Sequence, residues 1–176
     1  SKASIAGTLH RITKLDDALR WIEQAASEIA NDPEHASVCA FHGQLLRFHN
    51  RAAEACIAYE KSLRLDPHNS QSRLGLALTQ RATSEHQNID SLRKALARCK
   101  PNSRSEAQVA YALFKELDDV GDHAAAWPIL ERAWRAKRSE KPYNAALESA
   151  LFQRLAALTP KLRADPLPPD ASYPVP

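Results

Sequence analysis

The 34 residues from Ala36 to Asn69, ASVCAFHGQLLRFHNRAAEACIAYEKSLRLDPHN, decide the fold. They carry two apolar stripes at helical spacing, separated near Asn50 and closed by Asp66-Pro67. Cys39, Gly43 and Leu46 share one face of the first helix, and Ala55, Tyr59 and Leu63 one face of the second. Gly43 and Ala55 are small where the two helices must cross closely, while Leu46, Tyr59 and Leu63 fill the space around them. A residue before proline avoids the helical region, so the second helix has to stop at Asp66.

Outward from this stretch, Pro33, Pro67 and Pro101 stand 34 residues apart, each ending a segment that reads as two amphipathic helices. The period, with Gly43, Leu46, Ala55, Tyr59 and Pro67 at their places, resembles the tetratricopeptide (TPR) repeat family. Upstream, Asp16-Asp17 opens a helix with Leu15, Leu19, Ile22, Ala26 and Ile29 on one face, ending at Asn31-Asp32-Pro33. Its partner, residues 3–12, is short, so the first repeat reads as truncated. Downstream, 70–81 and a second helix through Ile89, Leu92, Leu96 and Cys99 form a degenerate repeat in which Ala77 stands for the glycine. The fourth unit is clearer: Tyr111, Leu113, Phe114 and Leu117, a turn at Gly121-Asp122, then Ala126, Leu130 and Ala133. Trp127, Leu130 and Trp134 share a helical face and read as core, and Pro128 is expected to kink or restart that helix. A further helix is expected over 144–158, followed by a tail in which prolines at 160, 166, 168, 169, 174 and 176 favour an extended strap or linker.

Composition agrees with an all-α chain. Four glycines, no methionine and 6% aromatic residues leave little material for hairpin turns. A net charge of +3 with 26% charged residues lacks the concentrated basic footprint of a nucleic-acid binder. No run of 18 apolar residues occurs, so no transmembrane helix is expected. Cys39, Cys56 and Cys99 are odd in number and lack metal spacing, which suits reduced, buried thiols in the cytoplasm. The start at Ser1 points to a processed terminus or a fragment.

The stretch from about Ile89 to Pro176 carries a second resemblance. Tyr111-Ala112-Leu113, Leu117-Asp118-Asp119-Val120-Gly121-Asp122, Arg132-Ala133, Pro142-Tyr143-Asn144 and Leu151-Phe152 resemble the segment of bacterial TPR-containing sulfotransferases between the repeats and the catalytic domain. Phe114, Trp134 and Pro128 depart from that pattern. The resemblance implies a neighbouring domain in which a strand and a Gly-rich loop hold phosphoadenosine phosphosulfate. That domain would begin near Pro176, and since the last glycine is Gly121, this chain holds no phosphate cradle and is expected to carry no cofactor.

Catalytic and metal constellations are weak. Cys39, His42 and His49 recur on one helix and Cys56 could approach from its partner, but no carboxylate completes a ligand set. No nucleophile elbow positions a serine, so the chain reads as no enzyme. Binding fits better. In a TPR array the first helices of successive hairpins line a concave groove. Arg47, Arg81 and Lys115 differ by 34 and would form a basic row beside Gln44, Phe48, Leu78 and Tyr111, suited to an acidic peptide. The alternative is a solvated cationic face. Ala40 and Gln44 stand where chaperone-tail clamps use lysine and asparagine. Arg132, Arg135, Lys137, Arg138 and Lys141 form a second basic patch.

The expected architecture is therefore a TPR-type right-handed superhelix of stacked antiparallel helix pairs over 1–158, with approximate repeats 2–33, 34–67, 68–101 and 104–139 and a helix at 144–158. A Pro-rich tail follows over 159–176. The expected function is a protein–protein interaction module ahead of a sulfotransferase-like domain. The alternative is a free-standing adaptor or chaperone for a partner peptide. Partners are expected to be proteins or peptides or a second copy of the chain, with neither nucleic acid nor membrane involved.

Overall fold

A computed structural model describes residues 2–11, 14–27, 35–84, 87–140 and 144–164. Pro33, Lys141 and the prolines from Pro166 onward lie outside the described residues. The described elements are all helices: α1 (Lys2–Arg11), α2 (Leu15–Ser27), α3 (Ala36–Phe48), α4 (Ala52–Leu65), α5 (Ser70–Thr79), α6 (Ile89–Arg98), α7 (Arg104–Asp119), α8 (His123–Glu140) and α9 (Ala145–Ala164). Helices α1, α3 and α7 are each followed after a short connection by α2, α4 and α8, and these pairs pack as hairpins.

The hairpin turns follow from local chemistry. Asn50 (φ 58°) and Gly121 (φ 84°) adopt the left-handed conformation that ends a helix without exposing its last carbonyls. After α3, the N–H of Arg51 bonds the Leu46 carbonyl at 2.9 Å and that of Asn50 the Arg47 carbonyl at 3.1 Å. After α7 the pattern repeats: Asp122 to Leu117 at 2.9 Å and Gly121 to Asp118 at 3.0 Å. Asp66 is extended at the end of α4, as the following proline requires. Ser103 caps α7, accepting from the Glu106 N–H.

Two apolar cores form and meet at α5. The first gathers Ala18, Leu19, Ile22, Leu45, Leu46, Ala55 and Tyr59, with Leu76 of α5 against it. The second gathers Ala77, Leu92, Leu96, Val109, Leu113, Leu117 and Ala133, with Leu74 of α5 against it. Tyr59 is the joint. A Cβ on Gly43 would come within 2.8 Å of its ring and one on Gly75 within 2.3 Å, so both glycines admit the ring edge to edge with backbone. The replacement of glycine by Ala77 is therefore resolved differently: Ala77 is buried, and Gly75 of α5 supplies the close approach, against Tyr59 of the preceding pair. A buried hydroxyl chain reinforces the α4–α5 seam, Ser72 Oγ to Ser62 Oγ and on to the Ala36 carbonyl, each at 2.7 Å.

The third pair departs from the 34-residue pattern because α5 ends at Thr79 and a long connection follows. Two acids of α7 hold that connection. Glu116, only 4% exposed, accepts from the Asn88 backbone N–H and from its side-chain amide at 3.1 Å. Asp119 accepts from the Ala82 N–H at 2.8 Å.

The expected aromatic core on α8 is corrected. Leu130 is buried, but Trp127 and Trp134 are 59% and 60% exposed, and the face that packs inward is Ala126, Leu130, Ala133 and Ala136. Pro128 lies within α8, which runs on through it without restarting.

The contacts divide the chain into Ser1–Lys141 and Pro142–Pro176. In the second unit α9 runs to Ala164, beyond the 158 expected, and Leu147, Leu151 and Phe152 on it are at least half exposed.

Candidate protein-interaction face

The first helices of successive pairs, α3, α5 and α7, lie side by side and are tied together by polar side chains. Gln71 of α5 donates to Gln44 of α3 at 2.9 Å, and Ser70 donates to Gln108 of α7 at 2.8 Å. On this face Phe48, Leu78 and Tyr111 are 48%, 40% and 38% exposed, a spaced set of apolar side chains that the cores do not use. Tyr111 leans on Phe114 with ring centres 5.6 Å apart.

The predicted cations are distributed unevenly. Arg47 lies with its guanidinium carbon 5.1 Å from the centre of the Phe48 ring and also faces the Tyr59 hydroxyl. Burial pushes that hydroxyl's pKa up, and Arg47 opposes the shift. Lys115 donates to the Gln80 carbonyl at 2.9 Å and forms an ion pair with Asp119. Burial works against ionisation of Asp119, but Lys115 and the Ala82 N–H outweigh it and hold the carboxyl below the usual range. Arg81 acts on the same carboxylate and also lines a cleft with Glu60, Leu63 and Arg64 of α4. Arg81 and Lys115 thus meet around one acid, whereas Arg47 sits with Tyr59 and Phe48.

At the α7/α8 end, sequence reasoning missed a pocket of about 310 Å³. Leu74, Tyr111 and Trp134 form its apolar wall over Ala107 and Ala133, and Arg104 and Lys137 stand at its rim. The signal was present: Arg104, Gln108, Tyr111 and Lys115 recur at 4, 3 and 4 residues, the spacing of one α7 stripe. The exposed Trp134 was hidden by its assignment to the core.

On the opposite side of α3, Cys39 and His42 line a separate cleft of about 360 Å³ with Glu23, Arg51, Glu54 and Lys61. Arg51 bridges Glu23 at 2.7 Å and Glu54 at 2.6 Å, joining α2 to α4. Burial pulls the His42 pKa down, favouring the neutral ring, while Glu23 and Glu54 pull the other way. No group of three or more His, Cys, Asp or Glu gathers as a metal site among the described residues. Cys39, Cys56 and Cys99 are free thiols, the first two buried. Of the second basic patch, Arg132 is paired with Glu106 at 2.6 Å and Lys137 with Glu140. Arg135 and Arg138 are exposed.

Comparison with solved structures supports this arrangement of helix pairs. The structure titled MamA MSR-1 C2, a TPR-type helical repeat protein, superposes with a TM-score of 0.55 at 17% identity, over 79% of this chain and 76% of that one. The fold is all-α and TPR-like, built of stacked helix pairs. No protein-family model matches the chain, and no curated protein does. No helix among the described residues is long and apolar enough to cross a membrane.

Proposed function

We propose that the chain is a non-catalytic interaction module that binds a partner peptide along a concave groove containing Gln44, Arg47, Phe48, Leu78, Arg81, Tyr111 and Lys115. The observation that carries this reading is the continuity of α3, α5 and α7 through the Gln44–Gln71 and Ser70–Gln108 bonds, with Phe48, Leu78 and Tyr111 left partly exposed between them. Side chains of this kind gain most when a partner covers them. Arg47 and the exposed Arg81 favour an acidic partner by offering its carboxylates charge-assisted donors, while Lys115 is already paired with Asp119. The free thiols suit a reducing, cytoplasmic setting.

The motif residues around Leu117–Asp122 and Arg132-Ala133 further support a place ahead of a sulfotransferase-like domain, with the module docking that domain's protein substrate. The second reading, a free-standing adaptor, rests on the same groove. The encoded sequence beyond Pro176 separates them: a strand with a Gly-rich loop is expected, and a stop codon there sinks the sulfotransferase reading.

For the groove, the double variant Arg47→Glu/Arg81→Glu is expected to weaken partner binding by about tenfold or more in a calorimetric titration. Because Arg47 also faces Tyr59, the unfolding transition is measured in parallel to confirm a folded chain. Unchanged affinity in a folded variant removes the groove as the binding surface.

A further inference from the structure

The pocket at the α7/α8 end brings two large aromatic rings and a guanidinium together. Its apolar wall is made of Leu74 from α5, Tyr111 from α7 and Trp134 from α8, the two rings 38% and 60% exposed. Large aromatic rings left this open beside an arginine are the composition of binding hot spots. The polar rim has been sorted by the protein itself. Lys137 is neutralised by Glu140 at 2.5 Å, and Gln108 accepts from Ser70. The Arg104 guanidinium has no hydrogen bond or ion pair among the described residues, and Glu140, the carboxylate that lines the same pocket, is already paired with Lys137.

We propose that this pocket is the anchor subsite for a partner peptide, taking one large apolar side chain between Tyr111 and Trp134 while a neighbouring carboxylate pairs with Arg104. The inference deepens the interaction reading above and rests on it. A volume of about 310 Å³ lies at the small end of ligand clefts, which fits an anchoring side chain and not a folded domain. The site continues the α5–α7 seam, so a peptide running along the first helices reaches it without leaving that face. The acid is specified by charge: a basic residue at the same place would meet Arg104 unscreened by any described carboxylate other than Glu140, which already holds Lys137.

The test is selection of a displayed random dodecapeptide library on the full chain, followed by titration of the enriched peptides against variants. Enriched peptides are expected to carry Phe, Trp or Leu adjacent to Asp or Glu. They should bind Trp134→Ala and Arg104→Glu about tenfold more weakly or worse, and Arg104→Lys less weakly than Arg104→Glu. Trp134 and Arg104 are exposed, and helicity of each variant is checked by circular dichroism. Enriched peptides that are basic, or that bind Trp134→Ala unchanged, overturn the subsite. If such peptides instead lose affinity on Arg81→Glu, the groove reading stands while this inference fails. Failure to enrich any peptide overturns both. Self-association of the chain in sedimentation that disappears in Trp134→Ala, with no peptide captured, assigns the pocket to a second copy and also overturns the proposal.

Discussion

Gly75→Ala is expected to destabilise the chain by about 3 kcal/mol, although an alanine in mid-helix is normally worth about 0.5–1 kcal/mol of stability over glycine. The new Cβ would fall 2.3 Å from Cζ and 2.4 Å from Cε1 of Tyr59. Tyr59 is 1% exposed and cannot retreat, because on its other side Gly43 leaves no more room: a Cβ there would be 2.8 Å from the ring. Either α5 moves away from α4, opening the Ser62–Ser72 bond, or the ring leaves its rotamer, and the overpacking cost exceeds the propensity gain. Gly7→Ala is the matched control. No atom lies within 4 Å of a Cβ there, so the ordinary gain of about 0.5–1 kcal/mol is expected. Urea unfolding with an unchanged slope measures both. Equal effects at the two positions would refute the role assigned to Tyr59.

Glu106→Ala is expected to cost about 2 kcal/mol. The carboxylate is 5% exposed and does two jobs at once. One oxygen accepts from Nε and Nη2 of Arg132 on α8, at 2.7 and 2.6 Å. The other accepts at 2.6 Å from the N–H of Asn102, which sits in the left-handed region (φ 56°) at the entry to α7. Removing the side chain strands a guanidinium that is 41% exposed, so that loss is screened, and it leaves the Asn102 N–H without its acceptor at a residue that is itself exposed. Glu106→Gln keeps the acceptor for Asn102 but not the charge for Arg132, and a loss between those of wild type and alanine is expected. A thermal or urea transition within about 0.5 kcal/mol of wild type for Glu106→Ala would show that neither contact matters.

The repeat architecture was legible because its requirements are local. Gly43, Tyr59, Asp66-Pro67 and the turn at Asn50 each state a backbone or volume demand that the structure meets at that residue. The third pair was harder, since its close approach is at Gly75, set by a ring from the preceding pair and not by the 34-residue count. Its connection is held by Glu116 and Asp119, 28 and 37 positions later in the chain than Asn88 and Ala82, a dependence that no periodicity reveals. Ser103-x-x-Glu106 is a capping signature that could have flagged the α7 entry. The tryptophans on α8 failed for a geometric reason. At about 100° per residue, Trp127 and Trp134 flank the edge of the stripe made by Ala126, Leu130, Ala133 and Ala136. Hydrophobicity alone favoured the large rings, whereas the closeness of α7 selects the alanines. The same misreading concealed the Trp134 pocket, so the surface with the strongest binding composition was the least visible from sequence.

The central claim is that a partner lies along the first helices of the pairs. Hydrogen–deuterium exchange of the full chain, with and without its bound partner, addresses this most directly. Slowed exchange is predicted along α3, α5 and α7, with α4 and α6 unchanged. Protection confined to α4 and α6, leaving α3, α5 and α7 as in the free chain, would contradict it.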